Sequence, residues 1–144
     1  MAEDWVNWSG SLRFTPGGYA APADEEAVIN LVRRSRESGT KLRPVGSGHS
    51  SSPLVRTNGV LVTLEHFTGV TRHADHPSRA IAGAGATLAA LGEDLHSLGL
   101  AMSNLGDVNY QTISGATATG THGTGLEFGN LSTQVVGVRL VAGT

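Results

Sequence analysis

Apolar residues take up a helical spacing twice along this 144-residue chain. Val28, Leu31 and Val32 form one stripe, and Leu88, Leu91 and Leu95 form the other. Each stripe has its own start and stop signals. Pro22-Ala23-Asp24-Glu25-Glu26 opens the first, with Asp24 as N-cap and two glutamates at the positive end of the dipole. Gly39 is its stop, and Arg33, Arg34 and Arg36 read as a solvated face near that end. Thr87 caps the second helix, which runs to Leu98 and stops at Gly99. Short apolar runs predict strands at 41–45 and 60–64, a hairpin-like pair at 70–73 and 79–82, and a last strand at 134–141. A helix leading into a strand that ends in glycine, as at 24–46, is half of an α/β unit. Residues 1–20 show neither period and read as an irregular lead, anchored by Trp5 and Trp8 and broken at Pro16, Gly17 and Gly18.

Two tracts without periodicity separate these elements. The shorter is Gly46-Ser47-Gly48-His49-Ser50-Ser51-Ser52-Pro53. The longer runs from Asn104 to Gly125 and holds five glycines and six Ser or Thr residues, with Asp107 as its only full charge. Glycine lets a backbone come close to a ligand. Small hydroxyl residues add donors without bulk. Such a tract holds an anion through N–H and O–H groups in place of cations, as a nest or a helix N-terminus does. The plainer reading is a long flexible loop. Ile113, Ala116 and Ala118 weigh against it, as apolar points that dock on a core.

Composition narrows the field. Apolar residues make up 39% and charged residues 15%, which describes a lightly charged globular chain able to bury a core. A net charge of −2 leaves no basic patch for nucleic acid or anionic lipid. The absence of cysteine excludes disulfides, thiolate metal sites and thiol catalysis. No apolar run is long enough to span a membrane, and MAEDWVNWSG carries no signal-peptide pattern, so the expected location is cytoplasmic. The chain stops one turn after its last predicted strand, with nothing to cover it, and so reads as a fragment of a longer protein.

Familiar nucleotide motifs fail on inspection. Gly46-Ser47-Gly48 has Ser51 where a dinucleotide fingerprint needs a third Gly or Ala, and Pro53 opposes the helix that should follow. Gly83-Ala84-Gly85 precedes a helix but has Leu88 at the third position. There is no GxxxxGK[ST]. His49 stands out on a strand-to-loop edge, as a nucleophile, a general base, a covalent anchor or simply an exposed loop residue. His122 is either a donor to a ligand or a histidine satisfied by backbone. His66, His73, His76 and His96 lack partners at metal-ligand spacing, so no metal is expected.

Three segments together resemble a known family. Asn7-Trp8-Ser9-Gly10, Arg43-Pro44-Val45-Gly46-Ser47-Gly48-His49-Ser50 and the run from Ile113 to Gly125 are similar, in order and spacing, to the FAD-binding domain of the vanillyl-alcohol oxidase (PCMH-type) flavoprotein superfamily. The nearest likeness is to L-gulonolactone and D-arabinonolactone oxidases and to alditol oxidases. The resemblance implies an α+β domain of two subdomains, one with a small parallel sheet and one with an antiparallel sheet, with the FAD pyrophosphate lying between them. It implies that Gly46, Ser47, Gly48 and Ser50 wrap the phosphates and that His49 is bonded to the flavin 8α-methyl carbon. It further implies cofactor contacts at Val45, Gly106, Asp107, Ile113, Ser114, Gly115, Ala116, Thr119, Thr121, His122 and Gly123.

The function so implied is an FAD-dependent oxidase. It takes hydride from a CH–OH carbon of a sugar lactone or alditol and passes the electrons to oxygen, giving peroxide. Gly106, near the flavin edge in this family, leaves room for oxygen. The whole chain, 1–144, is then the N-terminal part of an FAD domain. The rest of that domain, the substrate domain and the catalytic groups lie elsewhere. The alternatives are a dehydrogenase with another acceptor and a non-catalytic nucleotide- or partner-binding module.

Overall fold

A computed structural model describes residues 3–143. The chain divides into two units: residues up to 66 together with those from 139 on, and residues 67–138.

The first unit is built on a three-stranded parallel sheet of β3 (Gly18–Ala20), β5 (Val60–Thr63) and β4 (Leu42–Val45), in the order β3-β5-β4. The strands β1 (Trp5–Val6) and β2 (Arg13–Phe14) form a separate antiparallel pair. The central strand β5 reads VLVT because parallel strands are covered on both faces. Leu61 is fully buried and Val62 nearly so. Pro44 lies on β4, which pairs on one side only, so its missing N–H costs no ladder bond. Gly59 sets the register at the entry to β5. It accepts from Gly17 N–H at 2.8 Å, and a Cβ on it would lie 2.1 Å from the Lys41 carbonyl oxygen. The backbones run too close there for any other residue.

Helix α1 (Glu25–Ser38) carries the chain from β3 to β4. The Asp24 side chain accepts from Ala27 N–H at 2.8 Å. Gly39, at φ 68°, ends the helix, its N–H turning back to the Arg36 carbonyl. Val28, Leu31 and Val32 are half-buried, and the three arginines are exposed as expected.

The second unit pairs β6 (Val70–Arg72) with β7 (Ala80–Ala82) in antiparallel register and packs helices α2 (Leu88–Ser97) and α3 (Ile113–Ala118) together. Thr87 caps α2 through Ala90 N–H at 3.2 Å. Leu88, Leu91 and Leu95 meet Ala116 and Leu131 in one core, flanked by Val70, Ala80 and Ala82. The expected pairing of a small parallel sheet in one unit with an antiparallel pair in the other is borne out.

Two sequence expectations are corrected. The lead is not irregular: it supplies β1, β2 and the first edge of the parallel sheet, in strands of two or three residues that are too short to show a period. The strand expected at 134–141 does not form. Leu131–Gln134 is a 3-10 turn, and the residues after it have no ladder partner among the described residues. Val136, Val138 and Leu140 are exposed, which is the alternating pattern without the sheet edge needed to satisfy its N–H and C=O groups.

Substituting Gly59→Ala is expected to cost about 2–3 kcal/mol, in the upper range for overpacking. Asp24→Ala, which removes only a cap, should cost about 1 kcal/mol. Urea unfolding of both variants checks the order, and a smaller loss at Gly59 would contradict the close backbone approach.

Candidate functional site

The loop after β4 starts where the sheet ends. Val45 is buried at the last strand position, and the chain leaves it through Gly46 and Ser47. Gly48 is required twice over. Its φ is +64°, and a Cβ on it would lie 2.7 Å from the Trp5 ring. No α-helix follows; the next element is a three-residue 3-10 turn, Pro53–Val55. Among the described residues, the N–H groups of Gly46, Gly48, His49 and Ser50 have no protein acceptor. Consecutive unspent donors around a left-handed glycine make a cradle for an anion, with no cation required.

This loop rests on the lead. Asn7 is 4% exposed, a polar residue buried in the first unit. Its Oδ1 accepts from Leu12 N–H at 2.9 Å, which fixes the amide orientation, since an N–H can only donate. Its Nδ2 has two hydrogens and three acceptors in reach, so one N–H is shared: the Ser50 carbonyl lies at 3.2 Å and the hydroxyls of Ser9 and Ser11 at 3.1 and 3.2 Å. Trp8 stacks on the His49 ring, with centroids 4.5 Å apart and planes 19° apart. Trp5 packs on Phe14 at 5.3 Å across β1 and β2. Asp4 anchors the same hairpin: the Thr15 hydroxyl and then Arg13 hold its carboxylate below the usual range. The sequence named Trp5 and Trp8 as anchors and Asn7 only as part of the resembling segment; the role of its buried amide in holding the loop shows only in the fold.

In the second unit, the Asn104–Gly125 tract contains α3, which the glycine and hydroxyl content concealed. Thr112 caps it, its hydroxyl accepting from Gly115 N–H at 3.3 Å. The other leading N–H groups are also spent: Ile113 donates to the Ala86 carbonyl at 2.8 Å and Ser114 to that of Ala84 at 3.3 Å. The leading N–H groups of this helix are thus engaged within the protein. Thr119 donates to its own helix at Gly115, and Thr121 lies 3.4 Å from Gln111 Oε1. Ala116 is fully buried and Ile113 half-buried, so both dock on the core as expected, while Ala118 is exposed.

The unspent donors of this unit lie further on. The N–H groups of His122, Gly123 and Thr124 have no protein acceptor among the described residues. His122 Nδ1 donates to the Gly123 carbonyl at 2.9 Å, which leaves Nε2 as the acceptor in the neutral ring. Gly123 lies against the chain at 104–106; a Cβ would be 2.4 Å from the Leu105 carbonyl oxygen. Gly106 is likewise constrained, by the Thr121 methyl at 2.7 Å. Ser114 and Asp107 are exposed.

Other candidates carry less. Lys41, Arg43 and Arg56 line a cleft of about 440 Å³ with Thr15, Thr57 and Asn58, but all three cations are exposed and solvated. His73 and His76 touch, with ring centroids 4.9 Å apart. Among the described residues, no group of three or more His, Asp or Glu side chains is placed to hold a metal ion, and no helix is long and apolar enough to cross a membrane.

A family described as FAD binding domain matches residues 16–144. Over 98% of its length the chain is 39% identical to an L-gulono-1,4-lactone dehydrogenase of Mycobacterium tuberculosis, covering 33% of that protein. Over 99% it is 35% identical to a D-arabinono-1,4-lactone oxidase of Eremothecium gossypii, covering 28% of it. The chain thus spans about a third of the length of these relatives. Among solved structures it is similar to a cholesterol oxidase from B. sterolicum (TM-score 0.74, 26% identity, 85% of this chain and 24% of that one). It also shares the fold of an alkyldihydroxyacetonephosphate synthase (TM-score 0.75, 19% identity, 88% of this chain and 24% of that one).

Gly123→Ala is expected to push residues 121–125 off residues 104–106. Amide hydrogen exchange should rise in both segments while α2 keeps its protection. Unchanged exchange at 104–106 would contradict the packing.

Proposed function

Because this chain belongs to the FAD binding domain family, we propose that it is the flavin-holding part of an oxidoreductase acting on a CH–OH carbon of a sugar 1,4-lactone or an alditol. The observation that carries the reading is the loop after β4: unspent N–H donors on both sides of a histidine, inside the matched region. FAD supplies the redox chemistry, accepting the hydride. The chain supplies the hold. Gly46, Gly48, His49 and Ser50 offer backbone donors to phosphate oxygens, with the Ser47 and Ser50 side chains beside them. In the second unit, His122, Gly123 and Thr124 carry unspent N–H groups of their own. Val45 and Ala116 are buried and act beneath the loops. His49 is the point of covalent attachment, through a ring nitrogen to the 8α-methyl carbon.

The lactone substrate is supported by the names of the relatives in M. tuberculosis and E. gossypii. Those names divide between dehydrogenase and oxidase, so the acceptor needs its own argument. We take oxygen as the acceptor, on the absence of a side chain at Gly106. The relative in M. tuberculosis favours the second reading, a dehydrogenase. The Thr121 methyl complicates the obvious variant, because Gly106→Ala alone would collide with it. Gly106→Ala combined with Thr121→Ser removes the colliding methyl. The double variant is expected to slow reoxidation by oxygen about tenfold or more, and by more than it slows reduction by lactone. Equal reoxidation in both proteins would end the oxygen argument.

The cofactor reading is tested on the intact holoprotein. Acid precipitation is expected to leave the flavin in the pellet, and the peptide containing His49 should carry an FAD-sized mass. His49→Ala should release the flavin to the supernatant. A colourless protein that takes up no FAD would favour the non-catalytic binding module.

A further inference from the structure

Two consecutive residues of the lead hold His49 on three sides. Trp8 N–H donates to the carbonyl of Gly48, the residue before it, at 3.2 Å. Asn7 Nδ2 donates to the carbonyl of Ser50, the residue after it, at 3.2 Å. The Trp8 indole covers the imidazole face, 4.5 Å away and within 19° of parallel. Core packing does not account for this stack, because Trp8 is 62% exposed. An indole left largely in solvent gains little from burial, yet here it fixes the plane of one ring. Asn7, by contrast, is buried and over-determined by Leu12, Ser9 and Ser11, so the platform beneath the loop is rigid.

We propose that Trp8 is a positioning residue for flavin attachment: with Asn7 fixing the loop, it holds the His49 imidazole in the orientation from which the bond to the 8α carbon forms. This rests on the reading of His49 as the tether. In that reaction the imidazole loses its N–H proton and the 8α-methyl loses one hydrogen as the C–N bond forms. The two electrons released reduce the flavin ring, and oxygen, as the external acceptor, takes them up. Bond formation of this kind depends steeply on approach geometry, and a displacement of about 1 Å can cost about 100-fold in rate. A free imidazole rotating about χ1 and χ2 would meet that condition only part of the time. Stacking on the indole face restricts that freedom.

Three variants of the intact protein test this, scored by total bound FAD and by the fraction that stays with the polypeptide after acid. Trp8→Phe keeps an aromatic face and is expected to attach flavin within about twofold of the wild-type rate. Trp8→Leu keeps apolar bulk without the ring and is expected to bind FAD as fully but attach it about tenfold more slowly. Equal attachment in Trp8→Leu and wild type would overturn the proposal. So would a parallel loss of total and attached FAD in that variant, since Trp8 would then be supporting the fold instead of the ring. His49→Ala separates the underlying reading: if flavin stays attached there, the tether is another residue and the role of Trp8 falls with it.

Discussion

Both units depend on backbone running against backbone with no room for a side chain. A Cβ would lie 2.3 Å from a carbonyl oxygen at Gly17, 2.1 Å at Gly59, 2.3 Å at Gly83 and 2.4 Å at Gly123. Real Cβ atoms do not approach so closely, so these positions admit glycine alone. In the first unit, Gly17 and Gly59 bring β3, β5 and the start of β4 into register, and Gly59 lies beside the Lys41 carbonyl. In the second, Gly83 seats the end of β7 on Phe67, and Gly123 seats the late loop on residues 104–105. The high glycine content therefore reflects tight packing as much as loop freedom.

That packing decides where donors are left over. Where the chain is held close, its N–H groups find carbonyls: Gly83 with Gly69, Ser114 with Ala84, Ile113 with Ala86. Where it turns away, they do not, and among the described residues the unspent N–H groups are those of Gly46, of residues 48–50 and of residues 122–124. An isolated loop with many free N–H groups would be mobile. The 46–50 loop is held by the buried Asn7 amide and the two tryptophans, so its donors stay in place. Pre-arranged dipoles of this kind hold an anion without the desolvation cost of a buried cation. A nearly neutral chain of this composition is compatible with a cofactor carrying two phosphates.

Local signals decided what could be read from the sequence. Asp24 and Gly39 bound α1, and Thr87 with the Leu88, Leu91 and Leu95 stripe bounds α2, because caps and periodicity act within a few residues. The β6 and β7 hairpin and the central strand β5 followed from the same kind of pattern. The resemblance at Asn7–Gly10, 43–50 and 113–125 carried the family and the cofactor, which the match over residues 16–144 bears out. Helix α3 was hidden, since glycine, serine and threonine are weak helix formers; the Thr112 cap and the burial of Ala116 in the core with Leu88, Leu91, Leu95 and Leu131 support it.

By itself, then, the sequence determined the long helices, the central strand, the β6–β7 hairpin and the identity of two donor-rich tracts. Tertiary structure decided which donors remain free. It gave the α3 N-terminus to Ala84 and Ala86, gave the Thr119 hydroxyl to Gly115, and left the 134–141 pattern without a sheet edge. It also brought Trp8 onto the His49 ring and the Asn7 amide onto the Ser50 carbonyl, forty residues away in the chain or more. The physical reason is range. Caps and stripes are written in neighbouring residues, whereas the partner of a hydrogen bond or a ring is chosen by whatever the fold sets beside it.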